Sequence, residues 1–122
     1  MSWDFSDDRP IYLQLMEQIQ LKIICGTYKP GEKLPSVRDI ASEASVNPNT
    51  MQKALTELER TGLVSSRRTS GRFITEDSNM INTMRNDLAK DQINNFLKNM
   101  AKIGYSKEEA IKLVETIIKE MK

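Results

Sequence analysis

Ser36-Val37-Arg38-Asp39-Ile40-Ala41-Ser42-Glu43-Ala44-Ser45-Val46-Asn47-Pro48-Asn49-Thr50-Met51-Gln52-Lys53-Ala54-Leu55 is the stretch whose reading decides the fold. Ser36 followed by Asp39 has the spacing of a capping box and opens a short helix from Val37 to about Glu43. Val37, Ile40, Ala41 and Ala44 form its expected buried side. After a brief break at Ser45-Val46, Asn47 is placed to cap a second helix, with Pro48 as its first residue. Met51, Leu55 and Leu58 supply the apolar face of that helix, and Gly62 closes it. Two short helices joined by a tight connection make the helix-turn-helix pattern.

On the N-terminal side, Ile11, Leu15, Ile19 and Ile23 recur at i+4 spacing, with Tyr12 and Met16 widening the stripe. This predicts a first helix from about Pro10 to Cys25, stopped by Gly26. Tyr28-Lys29-Pro30-Gly31 reads as a type II turn. On the C-terminal side, Leu63 to Ser66 and Arg72 to Thr75 read as two strands, with Arg67 to Gly71 as a basic tip between them. A hairpin that directly follows the second helix of a helix-turn-helix is a wing.

Glu76 to Asn79 is polar and reads as a short linker. Met80 to Ile103 lacks Pro and Gly and is helical in period, with a shift of face near Gln92 that allows either a bend or burial of two sides. Ser106 and Glu109 form another capping box. They open a last helix with Ala110, Ile111, Val114, Ile117, Ile118 and Met121 on one stripe. The expected fold is mainly α with a small β-hairpin. A winged helix-turn-helix domain covers 1–76 and a helical dimerisation or effector region covers 77–122.

Composition narrows the function. The chain of 122 residues has no histidine and one cysteine, Cys25. That removes the commonest general base and zinc ligand, any intrachain disulfide and any multi-Cys metal site. No Gly-rich phosphate loop is present, so no catalytic, cofactor or metal residues are assigned and an enzyme is not expected. Met1 to Asp8 is acidic and polar, unlike a secretory signal, and no apolar run is long enough to span a membrane, so a cytoplasmic location is expected.

The net charge is +1, but its distribution is uneven. Residues 29–72 hold eight basic against five acidic side chains, and Arg67, Arg68 and Arg72 fall in a stretch free of acids. A recognition helix presents its N-terminal residues to base edges in the major groove. Asn47, Pro48, Asn49, Thr50, Gln52 and Lys53 occupy that end here. Asn and Gln can pair bidentately with adenine, and Arg67, Arg68 and Arg72 can supply phosphate or minor-groove charge. The bland alternatives are a solvated hairpin and, for Arg38, an ordinary surface pair with Asp39 or Glu43. Cys25 reads as a small buried or half-buried side chain rather than a redox sensor. Trp3 and Phe5 read as packing on the module, with the rim of an effector pocket as the alternative.

Pro10-Ile11-Tyr12, Gly26 through Ala41, Val46 through Leu55, Glu57-Leu58-Glu59 and Gly62-Leu63-Val64 together resemble the DNA-binding module of GntR-type regulators, and the YtrA subgroup in particular. The resemblance covers residues 10–75 and rests on several fixed Gly, Pro and Arg positions. It implies a bacterial transcription regulator in which Arg38 lies at the DNA surface and the wing glycine, Gly71, approaches the duplex. Gln52 stands where many relatives carry Arg. The family wing has Gly-x-Gly before an aromatic residue, and Thr69 replaces the first Gly here.

The same resemblance implies that the tail helices pair two subunits into a homodimer on double-stranded operator DNA, with repression of a nearby transporter-type operon. One tail leaves little volume for a conventional ligand pocket, so a small-molecule effector of unknown identity is expected at such a dimer interface, with the Trp3 and Phe5 rim as the alternative. A winged module that binds another protein is the second class. The polar Asn49, Thr50, Gln52, Lys53 face argues against it.

Overall fold

The computed structural model describes residues 3–68 and 70–121. The chain divides into two compact units, Met1–Thr83 and Met84–Lys122. The elements run α1 (Ile11–Ile24), α2 (Val37–Ala44), α3 (Pro48–Thr61), β1 (Val64–Arg67), β2 (Gly71–Ile74), α4 (Ser78–Lys102) and α5 (Lys107–Glu120). This is the expected helix-helix-helix-hairpin order, mainly α with a two-stranded antiparallel wing.

In the first unit α1 and α2 both pack on α3, and Leu15, Ile19 and Ile23 of α1, Ile40 and Ala44 of α2 and Met51, Leu55 and Leu58 of α3 are all buried. Spacings of three and four residues place each set on one helical face. Val64 and Ile74 close the core from the hairpin and Ile81 from the first turn of α4. Gln14 is also buried, and every polar atom of its amide is used. It accepts from the Ser6 amide N–H at 2.8 Å and donates to the carbonyls of Ser6 and Arg9 at 2.9 and 2.8 Å. It therefore fastens the segment before α1 without leaving an unpaired buried group.

Trp3 is held to the module from two sides. Its indole N–H donates to Glu43 at 3.3 Å, and the Lys22 ammonium stands 4.7 Å from its ring centre. Lys22 itself is buried and also faces the ring of Tyr28 at 5.9 Å. The Tyr28 hydroxyl is pushed above its ordinary pKa, first by burial and then by the charges of Glu43 and Glu32.

The turn before α2 has Pro30 and Gly31 at its centre, with the Glu32 amide donating to the Lys29 carbonyl at 3.0 Å. Gly31 has φ +78°, the left-handed value that the third residue of a type II turn demands. The bridge that follows was not expected. Lys33 bridges Phe73 in antiparallel fashion, and Leu34 donates to the Arg72 carbonyl at 2.8 Å. The segment before α2 thus forms a third edge on the wing.

Several boundaries differ by a residue or two from those expected. The strands are Val64–Arg67 and Gly71–Ile74, so Arg67 lies within the ladder and the tip shortens to residues 68–70. The replaced wing position, Thr69, lies outside the described residues. Helix α4 starts at Ser78 within the expected linker, because Asp77 accepts the Met80 N–H at 3.1 Å and caps it. Cys25 is exposed, which corrects the expected burial. It continues the outward row of Glu17 and Leu21 at i+4 spacing, the face of α1 turned away from the core.

In the second unit, α4 continues as one helix to Lys102. Helix α5 begins with a complete capping box: the Ser106 hydroxyl accepts the Glu109 N–H and the Glu109 carboxylate accepts the Ser106 N–H. Those hydrogen bonds hold the Glu109 carboxyl below its ordinary pKa. Ala110 is buried, whereas Ile93, Phe96, Ile111, Ile117 and Ile118 are exposed in the single chain. Among the described residues no helix is long and apolar enough to cross a membrane.

Candidate nucleic-acid interface

The helix-turn-helix connection is set by Ser45, the only non-glycine residue with positive φ among those described (+58°). Its N–H donates to the Ser42 carbonyl at 3.2 Å, and the Val46 N–H reaches back to Ala41 at 3.0 Å. This is a Schellman-type stop, and it turns the chain sharply into α3. Asn47 then caps α3, its side-chain oxygen accepting the Asn49 N–H at 2.7 Å. Pro48 is the first helical residue, where its missing N–H costs no hydrogen bond.

The residues assigned to the recognition end fall on the outer side of α3. Asn49, Gln52 and Lys53 are exposed, Thr50 is half-buried, and Met51, Ala54 and Leu55 between them are buried. Asn47 commits its oxygen to the cap, and among the described residues no acceptor takes its amide N–H groups. The Lys53 ammonium lies 3.9 Å from the ring centre of Tyr12 on α1. Arg38, in the first turn of α2, is exposed, and among the described residues no carboxylate pairs with it.

The hairpin register sorts the wing cations onto opposite faces. Ser66 pairs with Arg72 and Val64 with Ile74 on one side, while Ser65 pairs with Phe73 and Arg67 with Gly71 on the other. Arg67 lies over the ring of Phe73, its guanidinium carbon 4.1 Å from the ring centre. Arg68 is exposed at the tip. Arg72 points the other way, its Nε donating to Glu59 of α3 at 2.5 Å. Gly71 has φ +103°, and a Cβ there would come within 3.1 Å of Lys33 Cε. Glycine at this position therefore serves both the backbone and the passage of the Lys33 side chain.

A cleft of about 630 Å³ runs between the start of α2 and the wing, lined by Lys33, Ser36, Ser70, Gly71 and Arg72 among others. Lys33, Tyr12 and Glu59 are neighbours of the interface that sequence reasoning did not single out. Glu59 and Tyr12 are a helix carboxylate and a stripe aromatic, each with an ordinary local explanation. Lys33 sits in an extended piece of three residues, too short for periodicity to register. Among the described residues no group of acidic, His or Cys side chains is arranged to hold a metal ion.

Residues 11–74, the helix-turn-helix and wing together, match the family described as bacterial regulatory proteins, gntR family. Over 116 residues the chain is 38% identical to an uncharacterized HTH-type transcriptional regulator, YhcF, of Bacillus subtilis, covering 95% of this chain and 96% of that protein. It is 45% identical over 69 residues to the HTH-type transcriptional repressor YtrA of the same organism, covering 57% of this chain and 53% of the repressor. Among solved structures, a GntR family transcriptional regulator from Listeria monocytogenes superposes with TM-score 0.85 at 42% identity, over 92% of this chain and 98% of that one. AraR(DBD) in complex with operator ORE1 superposes with TM-score 0.53 at 26% identity, over 62% of this chain and 94% of that one. A winged helix-turn-helix, a polar face at the start of its second helix and similarity along nearly the full chain lead to one conclusion: the chain belongs to the GntR family of DNA-binding transcription regulators, with YtrA-like relatives.

Proposed function

We propose that the protein is a cytoplasmic, homodimeric repressor of a nearby operon, transporter-type as the YtrA resemblance implies. Arg38, Asn47, Pro48, Asn49, Thr50, Gln52 and Lys53 meet the major groove and its flanking phosphates, and Arg67, Arg68 and Gly71 bring the wing to the backbone. Arg72 belongs to the same surface through the contact with Glu59. The observation that carries the reading is Arg38, exposed and without a carboxylate partner among the described residues, on α2 beside the N-terminal end of α3, where the exposed Asn49, Gln52 and Lys53 offer uncharged hydrogen-bonding groups and one lysine. That pattern suits base edges and phosphates better than an apolar protein partner.

The dimer is supported by the second unit. Ile93, Phe96, Leu97, Ile111 and Val114 line an apolar groove of about 510 Å³ that the single chain leaves open to solvent. Covering such a surface with a second copy removes apolar area from water. A two-fold dimer then reads half-sites about one helical turn apart, or a multiple of that spacing. An effector that favoured one separation of the half-site readers over another would regulate binding there.

The test is a titration of the protein with genomic fragments that include its own promoter, at two salt concentrations. Fragment-selective affinity that falls steeply with salt is expected. No binding at low salt would defeat the reading and favour a protein-interaction module.

A further inference from the structure

The wing carries three arginines, and the structure treats one of them differently. Ser66 and Arg72 are register partners on the hairpin face turned toward α3, and both meet one carboxylate oxygen. Glu59 Oε1 accepts from Arg72 Nε at 2.5 Å and also from the Ser66 hydroxyl. The Arg72 side chain is only 17% exposed and that of Glu59 27%, so the pair is shielded more than a surface ion pair. Glu59 lies in the last turn of α3, at the opposite end from Asn49 and Gln52. The carboxylate therefore joins both strands of the wing to the helix proposed to enter the groove.

We infer that Glu59 is a positioning residue for DNA binding, and that Arg72 acts through it as a latch rather than as a phosphate contact. The inference rests on the DNA-binding role proposed above. A hairpin of two four-residue strands is weak on its own. A charge-assisted bond to the recognition helix fixes the angle at which its outward cations, Arg67 and Arg68, are presented. Without the latch, binding would have to order the wing, and that entropy would be lost from the affinity. The Arg72 guanidinium also balances the Glu59 charge within the protein, and the Ser66 hydroxyl adds a hydrogen bond to it.

Two measurements decide the matter. In the first, binding of the selected promoter fragment is titrated over a salt series for wild type, Glu59→Gln, Arg72→Gln and the double variant, with melting curves alongside. Each single substitution is expected to weaken binding by about tenfold, with the double variant no worse than either, because both remove one coupled contact. The slope of log affinity against log salt should stay at the wild-type value, since it counts phosphates contacted. The latch is overturned if Arg72→Gln makes that slope shallower by about one charge. It is equally overturned if Glu59→Gln leaves affinity unchanged or raises it.

In the second, amide hydrogen exchange is followed on the free protein, which needs no DNA. Glu59→Gln should speed exchange across Val64–Arg67 and Gly71–Ile74 while the amides of α1 keep their protection. Unaltered hairpin exchange overturns the latch, even if no promoter fragment binds and the proposed function itself has failed.

Discussion

Lys53 on α3 holds its ammonium 3.9 Å from the ring centre of Tyr12 on α1, so a cation of the recognition helix rests on the helix packed beside it. The aromatic face limits where the long, flexible lysine stem can carry its charge. The substitution Tyr12→Leu keeps an apolar residue in the stripe and removes the platform. Operator affinity is expected to fall by about twofold to fivefold, the size of an exposed cation–π contact. In a Lys53→Met background the same Tyr12→Leu change should have no further effect on affinity, as fluorescence anisotropy would reveal.

Arg38 and Gln52 should separate positioning from reading. Arg38→Ala is expected to weaken binding to all sequences alike and to reduce the salt slope by about one. Gln52→Arg should instead move the preferred base at one position of each half-site from adenine toward guanine. Selection of bound sequences from a random pool, run on both variants, distinguishes the two behaviours. An unchanged preference for Gln52→Arg would remove that residue from the base-reading set.

Ser45 adopts φ +58° at the corner between α2 and α3. This conformation is strained for a side chain with a Cβ and unstrained for glycine. Ser45→Gly is expected to stabilise the fold by about 1 kcal/mol, somewhat less after the greater freedom of the unfolded glycine is counted. Urea unfolding of the two proteins measures the difference.

Acid should loosen the wing only below the ordinary carboxylate range. Burial works to raise the Glu59 pKa, but hydrogen bonds from Ser66 and Arg72, with the charge of Arg72, more than offset it, and the carboxyl sits below its ordinary value of 4.5. A depressed folded-state pKa means that the ionised group stabilises the fold above its unfolded value. That contribution disappears as pH falls through the folded one. As pH falls below the ordinary carboxylate value of 4.5, wild type should lose more stability than Glu59→Gln, by thermal melting at matched ionic strength.

The apolar groove of the second unit offers a test of subunit pairing. Ile111 is 54% exposed and Phe96 38% in the single chain. Placing a carboxylate there with Ile111→Glu should convert a dimer to a monomer at micromolar concentration by light scattering, with α1–α3 melting as before. A monomeric wild type would dispose of the dimer directly.

Much of this architecture is readable from local chemistry. Ser36, Asn47, Pro48, Gly62 and Ser106 mark helix ends because capping is a matter of neighbouring residues, and the structure places each at a helix terminus. The helical stripes of α1 and α3 are likewise local. What escaped depends on residues far apart in the chain. The bridge from Lys33 to Phe73 spans a gap that no periodicity records, and it accounts for the wing's third edge. The turning of Arg72 toward Glu59 follows from strand register, and a shift of one residue would have sent it to the other face. The exposure of Cys25 was hidden for a related reason: a helix end has no next turn to show which face the residue continues. In the candidate interface, residue types and order were legible, but not which cation is free and which is already engaged.

The segment bridged to β2 also fixes how short a DNA-reading fragment can be. Gly31 donates to the Ile74 carbonyl at 3.0 Å, Ile74 donates back to Glu32 at 2.9 Å, and Leu34 donates to Arg72 at 2.8 Å. These bonds close a loop of some forty residues that encloses the whole helix-turn-helix. A peptide cut just ahead of Ser36 would still contain both helices and both hairpin strands, yet β2 would lose its outer partner. Such sequence-distant closure is slow relative to helix formation. The wing is therefore expected to be the last part of the module to set during folding, and nascent chains would hold a formed α3 before they could grip a duplex with both elements.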